Sequence, residues 1–264
     1  MPIPAHINWL KKIENNLKTA DKKNVKLIEF LYPSDLALIS NFACYLRNHY
    51  CKDEELDDLI KPFGFSRKEY LKKVKIPDLG HIKAADFSEI IVADYIQFIL
   101  NYYIPRVKYE GKWNKNSSTM GIDILGFKII DSDKNDEIIT CEVKAALKSK
   151  NPDTLKNAIK KSVQDLDYIR KAQSLNAIKQ RLKDKKETNN VKIIERFQDK
   201  TDRPYKEITG AAAVHSSETW DNIIITDSSC VDHPNIDNIL LLVIRGKNLM
   251  DFVNNLYEII CNEA

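Results

Sequence analysis

The sequence predicts an α/β protein. A mixed sheet flanked by helices is expected in the order α-β-β-α-β over residues 84–264, with a mostly helical N-terminal region, 1–83, packed on it. Three observations predict this. Residues 84–104 repeat apolar side chains at helical spacing. Residues 122–143 hold two β-branched runs around a polar turn, the pattern of a hairpin. Residues 239–245, Ile-Leu-Leu-Leu-Val-Ile-Arg, form the continuous apolar run of a strand buried on both faces.

In chain order, Val25 to Leu31 suits a strand, and Ser34 suits the N-cap of a helix from Asp35 to about Tyr50. Leu38, Ile39, Phe42 and Leu46 give that helix one buried face. The acids from Asp53 to Asp58 suit the solvated first turn of a helix, where negative charge meets the helix dipole. Ser66 to Val74 reads as a short helix closed before Pro77, and Gly80 as a break. The helix over 84–104 buries Phe87, Ile90, Ile91, Tyr95, Phe98 and Ile99, and Pro105 ends it. Val107 to Tyr109 suits a short strand. The polar loop from Trp113 to Thr119 is placed to touch a substrate.

The hairpin is the informative stretch. Its strands run from Ile122 to Ile130 and from Ile138 to Val143, around the turn Asp131–Asp136. Alternation puts Glu142 and Lys144 on one face and Cys141, Val143 and Ala145 on the other. An acid and a lysine at the end of an apolar strand are costly to bury unless each meets opposite charge. A metal ion and a phosphate supply those charges. Asp123, at the head of the partner strand, is placed to face Glu142 across the hairpin. Asp21-Lys22-Lys23 and Asp184-Lys185-Lys186 also place a lysine two residues after an acid, but in polar stretches. A surface ion pair on a solvated edge strand accounts for Glu142-Val143-Lys144 alone. Asp123 and the helix that follows favour a site.

That helix starts near Asp153, with Leu155, Ile159, Val163, Leu166 and Ile169 as its buried stripe. Gln164 and Tyr168, four apart, fall on one helical face. From Lys144 to Lys186 there are 13 Lys or Arg against four Asp, whereas the whole chain carries only +3. Such a segment suits phosphate contacts, with Lys148, Lys156, Lys160 and Lys161 as candidates. Residues 172–203 are charged and helical or irregular. Strands over 207–215 and 239–245 and a helix from Asn248 to Asn262 close the chain. His215 and His233 have no partner spacing and are expected to be satisfied or exposed.

No apolar run approaches the roughly 20 residues that span a bilayer, so no membrane partner is expected. The N-terminus lacks the basic start and apolar stretch of a signal peptide. The five cysteines are scattered without CxxC spacing, which indicates neither disulfides nor a zinc site but a reducing, cytoplasmic setting. No Gly-rich phosphate loop is present, so ATP hydrolysis is not expected.

Asp123, Glu142 and Lys144 resemble the motif of the PD-(D/E)XK nucleases, with Gly121-Ile122 where the proline would stand. The resemblance implies a restriction-endonuclease-like fold and a Mg²⁺-dependent (or Mn²⁺-dependent) deoxyribonuclease. Asp123, Glu142 and the Val143 carbonyl would hold the metal, and Lys144 would stabilise charge on the phosphate. Glu89, ahead of Asp86 and Asp94, would be the third acid contributed by the preceding helix. Gln164 and Tyr168 resemble the Gln-x-x-x-Tyr motif of RecB-type members. More narrowly, the size, the helical N-terminal portion, Gly121-Ile122-Asp123 and Cys141-Glu142-Val143-Lys144 resemble HamA, the nuclease subunit of the bacterial Hachiman anti-phage system. That likeness implies a DNA substrate and regulation by a superfamily 2 helicase, HamB. A stand-alone restriction or repair nuclease stays open, as does a non-catalytic nucleic-acid-binding module on the same fold.

Overall fold

Six strands form one sheet in the order β1-β2-β6-β5-β4-β3. They are β1 (Leu10–Ile13), β2 (Lys26–Phe30), β3 (Ile124–Lys128), β4 (Glu137–Ala146), β5 (Lys206–Ser216) and β6 (Ile239–Gly246). The four central strands are parallel, and β1 and β3 close the two edges antiparallel. This computed structural model describes residues 2–14, 16–60, 62, 64–119, 121–130 and 136–262. The turn expected over 131–136 lies outside the described residues up to position 135.

The helices are α1 (Leu36–Arg47), α2 (Asp53–Ile60), α3 (Arg67–Tyr70), α4 (Gly80–Asp94), α5 (Thr154–Ser162), α6 (Tyr168–Asp184), α7 (Thr188–Gln198), α8 (Ile223–Thr226) and α9 (Leu249–Asn262). The order α4-β3-β4-α5-β5 reproduces the α-β-β-α-β order read from the sequence. The mixed sheet with flanking helices is the predicted fold class.

Strand alternation sorts the core into layers. Cys141 and Val143 of β4 and Ala212 and Val214 of β5 pack with Phe42, Phe87, Ile91, Phe252 and Leu256 under α1, α4 and α9. Ala211 and Ala213 of β5 and Leu241 and Val243 of β6 pack with Leu155, Ala158, Ile159 and Ile224 under α5 and α8. Leu125, Phe127 and Ile138 of the hairpin meet Leu175, Leu182, Ile194 and Phe197 of α6 and α7. The alanines of β5 let α5 approach the sheet closely. Gly210 lies opposite Cys141 in the ladder, and a Cβ there would stand 2.7 Å from the cysteine's Cβ and Sγ. Overpacking of this kind costs about 1–3 kcal/mol. Gly210→Ala is therefore expected to lower the urea midpoint of unfolding, and an unchanged midpoint would contradict the close approach.

Several elements differ from expectation. The strand expected over Val25 to Leu31 is β2, but β1 was not expected; both extend the same sheet, β2 pairing in parallel with β6. Asp35, not Ser34, caps α1, its carboxylate accepting from the Ala37 N–H at 2.8 Å and the Leu38 N–H at 3.3 Å. Ser66, read as the first residue of a helix, is instead the N-cap of α3, in a reciprocal capping box with Glu69. Gly80 opens α4 rather than breaking the chain, and α4 runs on through a π-helical turn, Tyr95–Ile99. Residues 107–109 form no strand, and 172–203 is ordered as α6 and α7.

Candidate active site

The hairpin register pairs Ile124 with Cys141, so Asp123, one residue before β3, falls opposite Glu142 on the same face. Glu142 and Lys144 stand beside Ala211 and Ala213, on the α5 side of the sheet. Glu142 is fully buried, and its Oε1 receives the ammonium groups of both Lys144 and Lys161, the latter at 2.9 Å. Lys161 comes from the last turn of α5, where burial is incomplete and its side chain is 44% exposed. The Glu142 carboxylate, with the hydrogen bond it accepts, pulls the Lys161 amine up against the opposing effect of burial. Glu142 Oε2 is buried with no hydrogen-bond partner.

Asp123 Oδ2 accepts from the Val143 N–H at 3.0 Å, which ties the head of β3 to β4 at the site. Lys108 then joins Asp123 to α4. Its ammonium lies 2.6 Å from Glu89 Oε2, donates to the Asp123 carbonyl at 3.0 Å and lies 3.6 Å from the Asp123 carboxylate. Tyr109 donates a second hydrogen bond to Glu89 at 2.8 Å. Burial pushes the Glu89 carboxyl up, Lys108 opposes this, and the charge of Asp123 adds to the rise. Of the other acids of α4, Asp86 is held by Lys112 at 2.5 Å and Tyr50 at 2.7 Å. Asp94 joins a separate network with His6, Tyr45 and Arg106. Among the described residues neither forms an ion pair with Lys108.

The helix after β4 departs from the sequence expectation. α5 stops at Ser162, a 3-10 turn spans Val163–Leu166, and Asp167 adopts an extended ψ of 125° before capping α6 through the Arg170 N–H at 2.8 Å. Gln164 and Tyr168 therefore sit on two elements rather than one helical face. Both are solvent-exposed, Tyr168 at 74%. Val163 and Ile169 are turned outward by the same break.

The turn instead carries Asp165 inward. Its carboxylate is fully buried, Arg170 donates to Oδ1 at 2.9 Å, and Oδ2 has no partner. Burial raises the Asp165 carboxyl to about 6, with the charges of Glu142 and Asp123 adding to the rise and Arg170 opposing it. Sequence reasoning missed this acid. Its signal was the spacing of four from Lys161, which would share a helical face if α5 ran on. It missed Lys108 too, because Val107 to Tyr109 reads as a strand.

Lys148, Lys156 and Lys160 are exposed, and Lys156 lies 3.8 Å from Asp153. Only Lys161 of the expected phosphate-contacting lysines reaches the acids. Among the described residues no group of three or more His, Cys, Asp or Glu side chains is arranged to hold a metal. Lysines and backbone N–H groups hold the acids where a cation would. The buried, unpartnered oxygens of Glu142 and Asp165 do fit a hard cation, which binds through oxygen ligands.

Fold and site together define an α/β protein whose edge hairpin carries a carboxylate cluster served by three lysines, Lys108, Lys144 and Lys161. The HamA family model matches residues 4–260, so the chain belongs to the HamA family, associated with Hachiman defence. No curated protein matches the chain. Among the described residues no helix is long and apolar enough to cross a membrane.

Proposed function

We propose that this chain is the metal-dependent deoxyribonuclease of a Hachiman anti-phage complex, acting on DNA under the control of a superfamily 2 helicase partner. One observation carries the reading: Glu142, buried, with one oxygen unpartnered, lies opposite Asp123 and in contact with Lys144. Asp123 and Glu142, with the Val143 carbonyl, would hold a Mg²⁺ or Mn²⁺ ion, and Glu89 is joined to Asp123 through Lys108. Such an ion, when bound, acidifies a water and neutralises charge on a phosphate. Lys144 and Lys161 present ammonium groups at the same point, where they stabilise charge developing on phosphate oxygens. Both are preorganised by Glu142, so they need little rearrangement as that charge develops. The Asp123–Val143 hydrogen bond keeps the two strands in register at the reacting point. The lysines of α5 and the 144–186 segment supply the positive field for a polyanion.

The test is nicking of supercoiled plasmid by the purified chain, with and without Mg²⁺, together with co-purification from the native host. Metal-dependent nicking lost on chelation, and a helicase in the pull-down, are the expected results. Intact plasmid and intact single-stranded DNA under every divalent metal, both for the free chain and for the complex, would overturn the enzyme reading in favour of a binding module.

A further inference from the structure

A cavity of about 620 Å³ opens beside Asp123, between α4, the 105–119 segment and α6. Its size lies in the range of roughly 300–1,000 Å³ typical of small-ligand sites. Glu142 and Lys144 do not line it, so it adjoins the carboxylate cluster and is not the cluster itself.

Among the described residues, three groups on its wall make no hydrogen bond to another side chain. His49, just after α1, is 6% exposed, and its Nε2 has no hydrogen-bond partner. Burial and the nearby Arg106 charge drive this imidazole down to about 3, so it is neutral at physiological pH and offers a hydrogen bond without a charge. Arg181 packs against Gly111 and donates to the Val107 carbonyl at 3.2 Å, and no carboxylate pairs with it among the described residues. Trp113 is fully exposed, at 101%. An indole standing in solvent presents an aromatic face on which a base can stack. Aliphatic side chains such as Ile104 and Val107 make up much of the remaining wall.

A neutral hydrogen-bonding group within an apolar wall, an unpaired guanidinium and an exposed aromatic plane match a nucleotide. The base takes the apolar wall and the neutral imidazole, the phosphate takes the guanidinium, and a neighbouring base stacks on the indole. A paired base has its hydrogen-bonding edge covered and its faces stacked, and entry would require extrusion from the duplex. We infer that this cavity receives one unpaired nucleotide of a single DNA strand whose backbone crosses Asp123. The inference rests on the nuclease reading and specifies its substrate as single-stranded. A free nucleotide presents the same chemistry, so the experiment separates the two sources.

Ala177 is an exposed residue of α6 on the cavity wall, and Ala177→Trp adds an indole to that wall while leaving every acid and lysine of the site in place. The full chain, in chelator, is titrated into a labelled short single strand and into the blunt duplex of the same sequence, with fluorescence anisotropy as the readout. Deoxyadenosine monophosphate serves as competitor. The wild type is expected to prefer the single strand by about tenfold or more, and Ala177→Trp to remove that preference. His49→Leu is expected to weaken single-strand binding in the same direction, with an unchanged circular dichroism spectrum for both variants. Equal affinity for strand and duplex, or single-strand affinity unchanged in Ala177→Trp, would overturn the inference. Competition by the mononucleotide at concentrations as low as the oligonucleotide's would overturn it as well, in favour of a free-nucleotide site. A chain that keeps the preference but cuts neither DNA form with any divalent metal would support the pocket and overturn the nuclease reading instead.

Discussion

Lys144→Ala is expected to lower DNA cleavage by about 100-fold or more while leaving the fold intact. The size follows from the loss of one preorganised charge-stabilising group at the reacting phosphate. The intact fold follows from the local geometry. Lys144 is 31% exposed, and Glu142, its buried partner, keeps Lys161 at 2.9 Å on the same oxygen. No carboxylate is therefore stranded, and the stability change should stay within about 1 kcal/mol, as for exposed pairs. The double variant Lys144→Ala/Lys161→Ala is different. It leaves the Glu142 carboxylate buried without a cation, a situation that costs about 3–5 kcal/mol. The two single changes should then add up to less than the double one in urea unfolding, as expected for groups that share a partner. A structural ion pair predicts the same stabilities but no kinetic effect. Near wild-type cleavage by Lys144→Ala, measured beside an unchanged melting curve, would remove Lys144 from the chemistry.

The site could be read from the sequence only as far as strand alternation reaches. Asp123, Glu142 and Lys144 share a face because each sits at a fixed parity in a hairpin with one workable register. Lys161 was visible as a basic residue near the motif, but its contact with Glu142 depends on how α5 crosses β4. Asp165 and Lys108 were not visible, because each depends on a local choice that competes with a regular element. Asp167 can continue a helix or cap a new one, and here it caps. Val107 to Tyr109 has strand-forming residues, yet the chain turns so that Lys108 can serve Glu89 and Asp123. A buried ion pair outweighs weak strand propensity. β1, with the sequence Leu-Lys-Lys-Ile, is too short and too charged to announce itself, as suits an edge strand. The central strands were legible because apolar runs buried on both faces have few alternatives.

Asp94→Ala is expected to be the most damaging single substitution for the fold, at about 3–5 kcal/mol, a drop in Tm on the order of 10 °C. Asp94 lies at the end of α4 with a side chain that is 0% exposed. It accepts from Tyr45 at 2.5 Å and Arg106 at 2.6 Å, and pairs with His6 Nε2 at 2.8 Å. One carboxylate thus fastens the N-terminal segment, α1 and the start of the 105–119 segment to α4. Among the described residues, removing it leaves Arg106 with Gln97, at 2.9 Å, and takes a partner from a histidine and a tyrosine in the core. Asp57, on the surface of α2, is the control. It pairs with Arg67 at 2.7 Å but is 56% exposed, so Asp57→Ala should cost about 0–1 kcal/mol. The pH dependence has a definite sign. Burial raises the Asp94 carboxyl, but Arg106 and the hydrogen bond to His6 outweigh it and hold the group below the usual carboxylate range. A depressed acid contributes stability that is fully present above its unfolded value, about 3.9, and is lost as pH falls through the lower folded value. The gap in urea stability between wild type and Asp94→Ala should therefore be constant from neutral pH down to about pH 5 and shrink below about pH 4. A gap that widens on acidification, or one no larger than that of Asp57→Ala, would mean that this network does not hold the N-terminal segment to the sheet.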